Sequence, residues 1–219
     1  MKKVVLSLVT ACTVFSANVC AQAPTSAFVS NPNEAMSQQA KSALQEKLSK
    51  IDGFSASFVQ QVIDAEQQVI AEGEGRLSVT KPNKVHWHTT SPDETLIIAN
   101  GETLWFYDPF IEQVSLYHFE QALANTPILL LSSNDDTLWQ GYRVLQVESS
   151  FVIESLNEQS HVKALQLKFD KDELKQLLIF DATGQTSEIT LTMDSTASFN
   201  EAQYEFVIPD GTHIDDQRQ

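Results

Sequence analysis

The stretch Ser91-Pro-Asp-Glu-Thr-Leu-Ile-Ile-Ala-Asn-Gly101-Glu-Thr-Leu-Trp-Phe-Tyr-Asp-Pro-Phe-Ile-Glu-Gln-Val114 decides the fold class. Asn100-Gly101 lies between two strand-like runs, the pattern of a two-residue hairpin whose turn needs positive φ at both central positions. That register sets Ile97 opposite Leu104 and Leu96 opposite Trp105. Ile97, Ala99, Leu104 and Phe106 then share one face, and Leu96, Ile98, Trp105 and Tyr107 share the other. Both faces are apolar. Antiparallel sheets usually leave one face to water, so the second face is expected to be covered by further elements or by an apolar ligand.

Outward from the hairpin, period-two segments recur in both directions. Phe54, Ala56, Phe58 and Val62 fall on one side of a strand, followed by segments from Arg76 to Lys81 and from Lys84 to Thr89. After the hairpin come Gln113 to Tyr117, Tyr142 to Val147, Phe151 to Ser155, Val162 to Asp170, Gln176 to Asp181, Ser187 to Asp194 and Ala202 to Ile208. Turn residues separate them about every 8–12 residues. About ten or eleven strands are more than a flat sheet carries comfortably, so this antiparallel meander should curl toward a barrel. Ahead of it, Glu34 to Ile51 reads as an amphipathic helix, with Met36, Ala40, Ala43, Leu44, Leu48 and Ile51 near helical spacing. Residues 22–219 are read as one domain, with Gln22 to Asn33 as a loose leader.

One stretch departs from the pattern. Phe119 to Ala124 looks helical, and Thr126-Pro127 supplies an N-cap with proline at the first helical position. Ile128, Leu129, Leu130 and Leu131 follow, then five polar residues. A short helix cannot hide four consecutive large apolar side chains against one surface. The run is either a connector packed on several sides or a lid that shares apolar surface with a ligand.

Residues 1–21 read as a signal peptide: Lys2 and Lys3, an apolar run from Val4 to about Val19, and small residues before a cut after Ala21, preferred to one after Ala23. Val9-Thr-Ala-Cys12 would serve as a lipobox only with an unusually short apolar region before it. Both cysteines, Cys12 and Cys20, fall within the signal, so the mature chain has no thiol. Loss of Lys2 and Lys3 leaves 12 of the 14 basic residues against 29 acids, a formal charge of −17 rather than −15. Such a surface repels nucleic acid. An exported, monomeric protein without a membrane-spanning segment is expected.

Catalytic and metal signatures are accidental. Ser78-Val-Thr-Lys81 matches Ser-x-x-Lys within a strand, but so does Ser160-His-Val-Lys163, and no companion motif is present. His86 and His88 share a strand face, without a third ligand. Acidic pairs such as Glu72 with Glu74 follow from composition. No catalytic residue, metal or cofactor is expected. Lys81, in phase with Leu77 and Val79 at a strand end, either snorkels into solvent or donates to the unsatisfied carbonyls of a helix end.

Phe54-Ser-Ala-Ser-Phe58 with Gln60-Gln-Val62, Glu72-Gly-Glu-Gly75, Lys81-Pro-Asn83, Trp87-His88, Ser91-Pro-Asp-Glu94, the hairpin, Asn125-Thr-Pro127 and the ending Asp215-Asp-Gln-Arg218 occur in an order and spacing that resemble the periplasmic lipoprotein carrier family, LolA. The resemblance covers nearly the whole mature chain. It implies an incomplete antiparallel barrel, helix-covered at its mouth, around a hydrophobic cavity for the acyl chains of lipoproteins. It also implies a cargo route from an inner-membrane ABC exporter to an outer-membrane receptor lipoprotein of the LolB type. Leu44, Leu48, Val85, Trp87, Ile128, Leu129, Leu130 and Leu131 match lining or lid positions. Lys81 stands where the family usually has an arginine that latches the lid, and Val85 where phenylalanine is frequent. A related open-barrel sensor that binds lipid or lipoprotein without carrying it is the alternative.

Overall fold

The computed structural model describes residues 32–123, 126–133 and 135–218. The predicted signal peptide, residues 1–21, and most of the predicted leader lie outside the described residues, as do Ala124, Asn125 and Asn134.

A helix, α1 (Pro32–Ser49), precedes six strands: β1 (Gly53–Ile63), β2 (Val69–Thr80), β3 (Lys84–Ser91), β4 (Thr95–Asn100), β5 (Thr103–Asp108) and β6 (Gln113–His118). A short helix, α2 (Phe119–Leu123), and two 3-10 turns, Pro127–Ser132 and Asp136–Gly141, lead to β7 (Tyr142–Val147), β8 (Ser150–Ser155), β9 (Val162–Asp170), β10 (Glu173–Asp181) and β11 (Thr186–Met193). A 3-10 turn, Glu201–Tyr204, and β12 (His213–Asp216) end the described chain.

The twelve strands form one open sheet in the order β12-β6-β5-β4-β3-β2-β1-β11-β10-β9-β8-β7. Pairing of β1 with β11 joins the two halves of the meander at its centre. β3 and β9 are five strands apart in this order, about 24 Å on a flat sheet at 4.8 Å per strand. Both nevertheless touch the six-residue turn Pro127–Ser132, so the sheet curls strongly. The predicted incomplete barrel is therefore observed, with twelve strands and one exception to the antiparallel rule: β12 runs parallel to β6.

Its concave face carries the in-phase residues of every long strand: Phe58, Leu77, Val85, Leu167, Leu177 and Ile189 all belong to one buried cluster. At Gly75 on β2 the partner strand comes very close. A Cβ there would sit 2.1 Å from the His88 carbonyl oxygen and 2.7 Å from the Phe58 ring.

Three expectations need correction. The β4–β5 pairing sets Ala99 opposite Leu104 and Ile98 opposite Trp105, two residues away from the predicted register. The cause is the Asn100 side chain: its Oδ1 accepts from the backbone N–H of Glu102 at 3.1 Å and of Thr103 at 3.0 Å, widening the turn, and only Gly101 takes positive φ (98°). Because the slip is even, each residue keeps its face. Met36 is 68% exposed; the buried stripe of α1 is the narrower Ala40, Leu44 and Leu48. Ala202 to Ile208 is not a strand. Asn200 Oδ1 accepts from Ala202 N at 3.1 Å and starts the Glu201–Tyr204 turn, so that Tyr204 and, beyond the turn, Phe206 dock on the convex sheet face instead of pairing at an edge. Tyr204 is buried with its hydroxyl on Thr80, 2.5 Å away, and Phe206 packs on Tyr107 with ring centroids 5.1 Å apart. This strap covers the second apolar face of the hairpin.

Gly75→Ala is expected to cost about 1–3 kcal/mol or more through the backbone clash, measured as a fall in the urea midpoint at unchanged m-value.

Candidate functional site: a plugged apolar hollow

In a 3-10 helix successive side chains project about a third of a turn apart, so three neighbouring apolar residues can all be buried only where walls stand on every side. The Pro127–Ser132 turn meets that condition inside the hollow of the curled sheet. Leu129 and Leu130 are fully buried, and Ile128 and Leu131 are 3% exposed. β2 and β3 flank the turn on one side and β9 on the other, with α2 alongside. Thr126 does not cap it through its side chain, contrary to the sequence signal. Instead the turn is closed by Leu129 N on the Thr126 carbonyl at 3.0 Å and by the Ser132 hydroxyl on the Leu129 carbonyl at 2.8 Å. Asn83 N donates to the Ser132 carbonyl at 2.8 Å, tying the far end to the β2–β3 turn.

Leu44, Leu48, Val85 and Trp87 join Ile128 to Leu131 in the same buried cluster. Trp87 lies against Phe58, ring centroids 5.0 Å apart. All eight apolar residues predicted from the sequence thus surround or fill one hollow. Phe119, Ala122 and Leu123 of α2, together with Trp139, complete the filling; the helical look of 119–124 points to the first three, whereas the sequence reading misses Trp139, whose one signal is its pairing with Leu138 in a polar stretch.

Lys81 sits at the rim. Its ammonium donates to the Leu48 carbonyl in the last turn of α1 at 2.6 Å, within a crevice of about 140 Å³ shared with Gln45, Ser133, Asp136 and Trp139. The acceptor is a helix-end carbonyl of α1, that of Leu48, and not one of the apolar turn. Burial lowers its pKa, and the Asp52 carboxylate opposes that shift. Two further α1 side chains grip the Asp136–Gly141 turn: Lys41 Nζ donates to the Trp139 carbonyl at 2.8 Å and Gln45 Nε2 to Asp136 Oδ1 at 2.8 Å. α1 also shields the outer edge of β7, where Val144 N donates to Ser37 Oγ at 3.1 Å.

Two largely apolar clefts open elsewhere along the sheet. One, of about 210 Å³, lies between α2 and the concave faces of β4–β6, against Ile97, Leu104, Phe106 and Tyr117. The other, of about 500 Å³, is bordered by Ile51, Phe54, Leu174, Met193 and Phe199, with Asp172, Glu173 and Asp194 at its edge. Among the described residues, no group of three or more His, Asp or Glu side chains is arranged to hold a metal ion. His86 and His88 are edge-to-face with centroids 6.2 Å apart, and His88 pairs with Glu94 at 2.8 Å. The arrangement suits sequestration of an apolar chain.

The family model for the outer membrane lipoprotein carrier protein LolA matches residues 49–207. The chain belongs to the LolA family. A protein of Aeromonas salmonicida named outer-membrane lipoprotein carrier protein is 38% identical over 186 residues, 82% of this chain and 90% of that one. A namesake from Shewanella halifaxensis is 39% identical over 180 residues, 82% of this chain and 86% of its own length. A solved LolA superfamily protein from Nitrosomonas europaea overlays with a TM-score of 0.47 at 12% identity, across 76% of this chain and 97% of the other. In this LolA-family chain the residue that bonds the Leu48 carbonyl is a lysine, a point charge without the planar fork of arginine. The plug is held between α1, the β2–β3 turn and α2.

Tyr142 anchors the last of these. Its buried hydroxyl donates to the Leu123 carbonyl of α2 at 2.8 Å, and burial raises its pKa to about 12. An ordinary unfolded tyrosine ionises near 10. The raised value therefore gives stability that is complete below pH 10 and is lost as pH climbs from 10 to about 12. About 2–3 kcal/mol should disappear across that window, and Tyr142→Phe should flatten it in denaturation curves taken at each pH.

Proposed function

We propose that this chain is a periplasmic carrier that shields the acyl chains of lipoproteins in the hollow now filled by its own Pro127–Ser132 turn. It would accept them from an inner-membrane ABC exporter and surrender them to an outer-membrane receptor lipoprotein of the LolB type. The observation that carries this reading is the burial of four consecutive large apolar side chains by a six-residue turn, inside an unclosed sheet, in a LolA-family chain. Such a turn is an internal stand-in for lipid.

Magnitudes support an exchange between plug and cargo. Burying an acyl chain of about 15 methylenes is worth ~12 kcal/mol at ~0.8 kcal/mol each, too much for a carrier that must let go. Exposing four side chains of the Ile/Leu kind costs roughly 6–12 kcal/mol. If cargo enters only as the plug leaves, most of its binding energy is offset, and release is drawn by the plug returning. Residues 22–219 form the mature carrier in this reading and 1–21 the signal that exports it. Monomeric function without a cofactor follows from the same scheme.

Plug competition has a signature that static packing lacks. Leu129→Ala removes burial from the closed form at about 2–5 kcal/mol, so the variant should be less stable when empty yet bind a dipalmitoyl lipopeptide at least about tenfold tighter. Weaker or unchanged binding, by fluorescence titration, would mark the turn as ordinary core and sink the exchange mechanism. Lys81→Leu, which frees α1 from one hydrogen bond worth about 1 kcal/mol, should tighten binding about fivefold by the same titration, and Lys81→Arg should not.

A further inference from the structure

The β5–β6 turn holds an apolar point in open solvent. Phe110 is 89% exposed and Ile111 56% exposed, but neither is loosely held. Asp108 Oδ1 accepts from Phe110 N at 2.9 Å and from Ile111 N at 3.3 Å, which fixes the backbone that presents both side chains. The strap lies alongside. Phe206 is pinned on Tyr107 and His213 N donates to the Glu112 carbonyl at 2.7 Å, so residues 207–212 run beside the turn and add Val207, 86% exposed. Lone exposed apolar residues are ordinary, but a rigid cluster marks an interaction site.

The surrounding charge selects the occupant. No lysine or arginine occurs between Lys84 and Arg143 or between Lys175 and Arg218, the two stretches that build this corner, and Asp108, Glu112 and Asp210 stand around the apolar side chains. An anionic phospholipid surface would repel such a corner, whereas a socket lined by apolar side chains and rimmed by lysine or arginine complements both its parts. We propose that Phe110, Ile111 and Val207 form a plug-in contact for a protein partner that has a basic-rimmed apolar socket. The contact lies apart from the hollow. It rests on the carrier reading only in placing that partner among the membrane proteins of the cargo route.

Photo-crosslinking in intact cells tests this, with benzoylphenylalanine at position 110 and, as control, at the exposed Val147 of β7. The expected result is one membrane-protein adduct, specific to position 110, whose yield falls at least about fivefold when Glu112→Lys and Asp210→Lys reverse the rim charge. Adducts to phospholipid, protein adducts indifferent to the charge reversal, or none above the Val147 control would each overturn the proposal. Dipalmitoyl lipopeptide binding by the unaltered protein, measured in parallel, tests the carrier reading independently.

Discussion

A sheet rolled around an apolar hollow must have something in that hollow, because water there would face only aliphatic and aromatic walls. This chain fills it with Ile128 to Leu131, and the remaining helical pieces are arranged around that act. α1 closes over the hollow with Leu44 and Leu48, α2 backs the plug, Tyr142 holds α2, and Lys81 and Lys41 tether α1 and the Trp139 turn through backbone carbonyls. The polar contacts sit at the rim and the apolar ones inside. Long cationic side chains suit that division, since their stems lie on apolar surface while the ammonium groups reach hydrogen-bond acceptors.

The two faces of the sheet are treated unequally. The concave face meets a filling secured by short, separable pieces of chain. The convex face under the hairpin meets a strap whose ends are fixed by Tyr204 on Thr80, Phe206 on Tyr107 and the parallel pairing of β12 with β6. A covering attached in this way keeps Ile98 dry irrespective of what fills the hollow. The acidic composition likewise divides into functions: several carboxylates accept from backbone N–H groups in turns, as Asp108, Asp135 and Asp181 do, while Glu112 and Asp210 remain on the surface.

Much of this was legible in the residues. Two-sided apolar alternation around Asn100-Gly101 announced a sheet covered on both faces, and four consecutive large apolar residues after Thr126-Pro127 marked an element that one surface cannot bury, either a connector packed on several sides or a lid over a ligand. What was lost depends on side-chain hydrogen bonds and distant pairings. Asn100 turns its amide oxygen onto two backbone N–H groups and moves the register by two, a choice local to one side chain. Alternation at Ala202, Tyr204 and Phe206 reads as a strand because a strap and a strand present apolar residues at similar spacing; Asn200 decides between them by starting a turn. For Lys81 the residues left two readings open, a solvated strand-end charge and a donor to helix-end carbonyls, because which helix end it can reach depends on where residue 48 falls relative to residue 81 in space.

An unclosed sheet has a mechanical property that a closed barrel lacks. In a barrel, strand number and stagger together determine the diameter, and enlarging it means tearing a ladder. Here β7 and β12 are the two margins of the sheet, every strand between them has both neighbours, and the outer margin of β7 is covered by α1, a helix and not another strand. Uncurling the sheet by a few degrees per strand would change the width of the hollow without breaking one inter-strand hydrogen bond. The container thus has no fixed gauge, and under the carrier role proposed above, guests differing in number or length of hydrocarbon tails would be met by curvature instead of by rebuilding its walls.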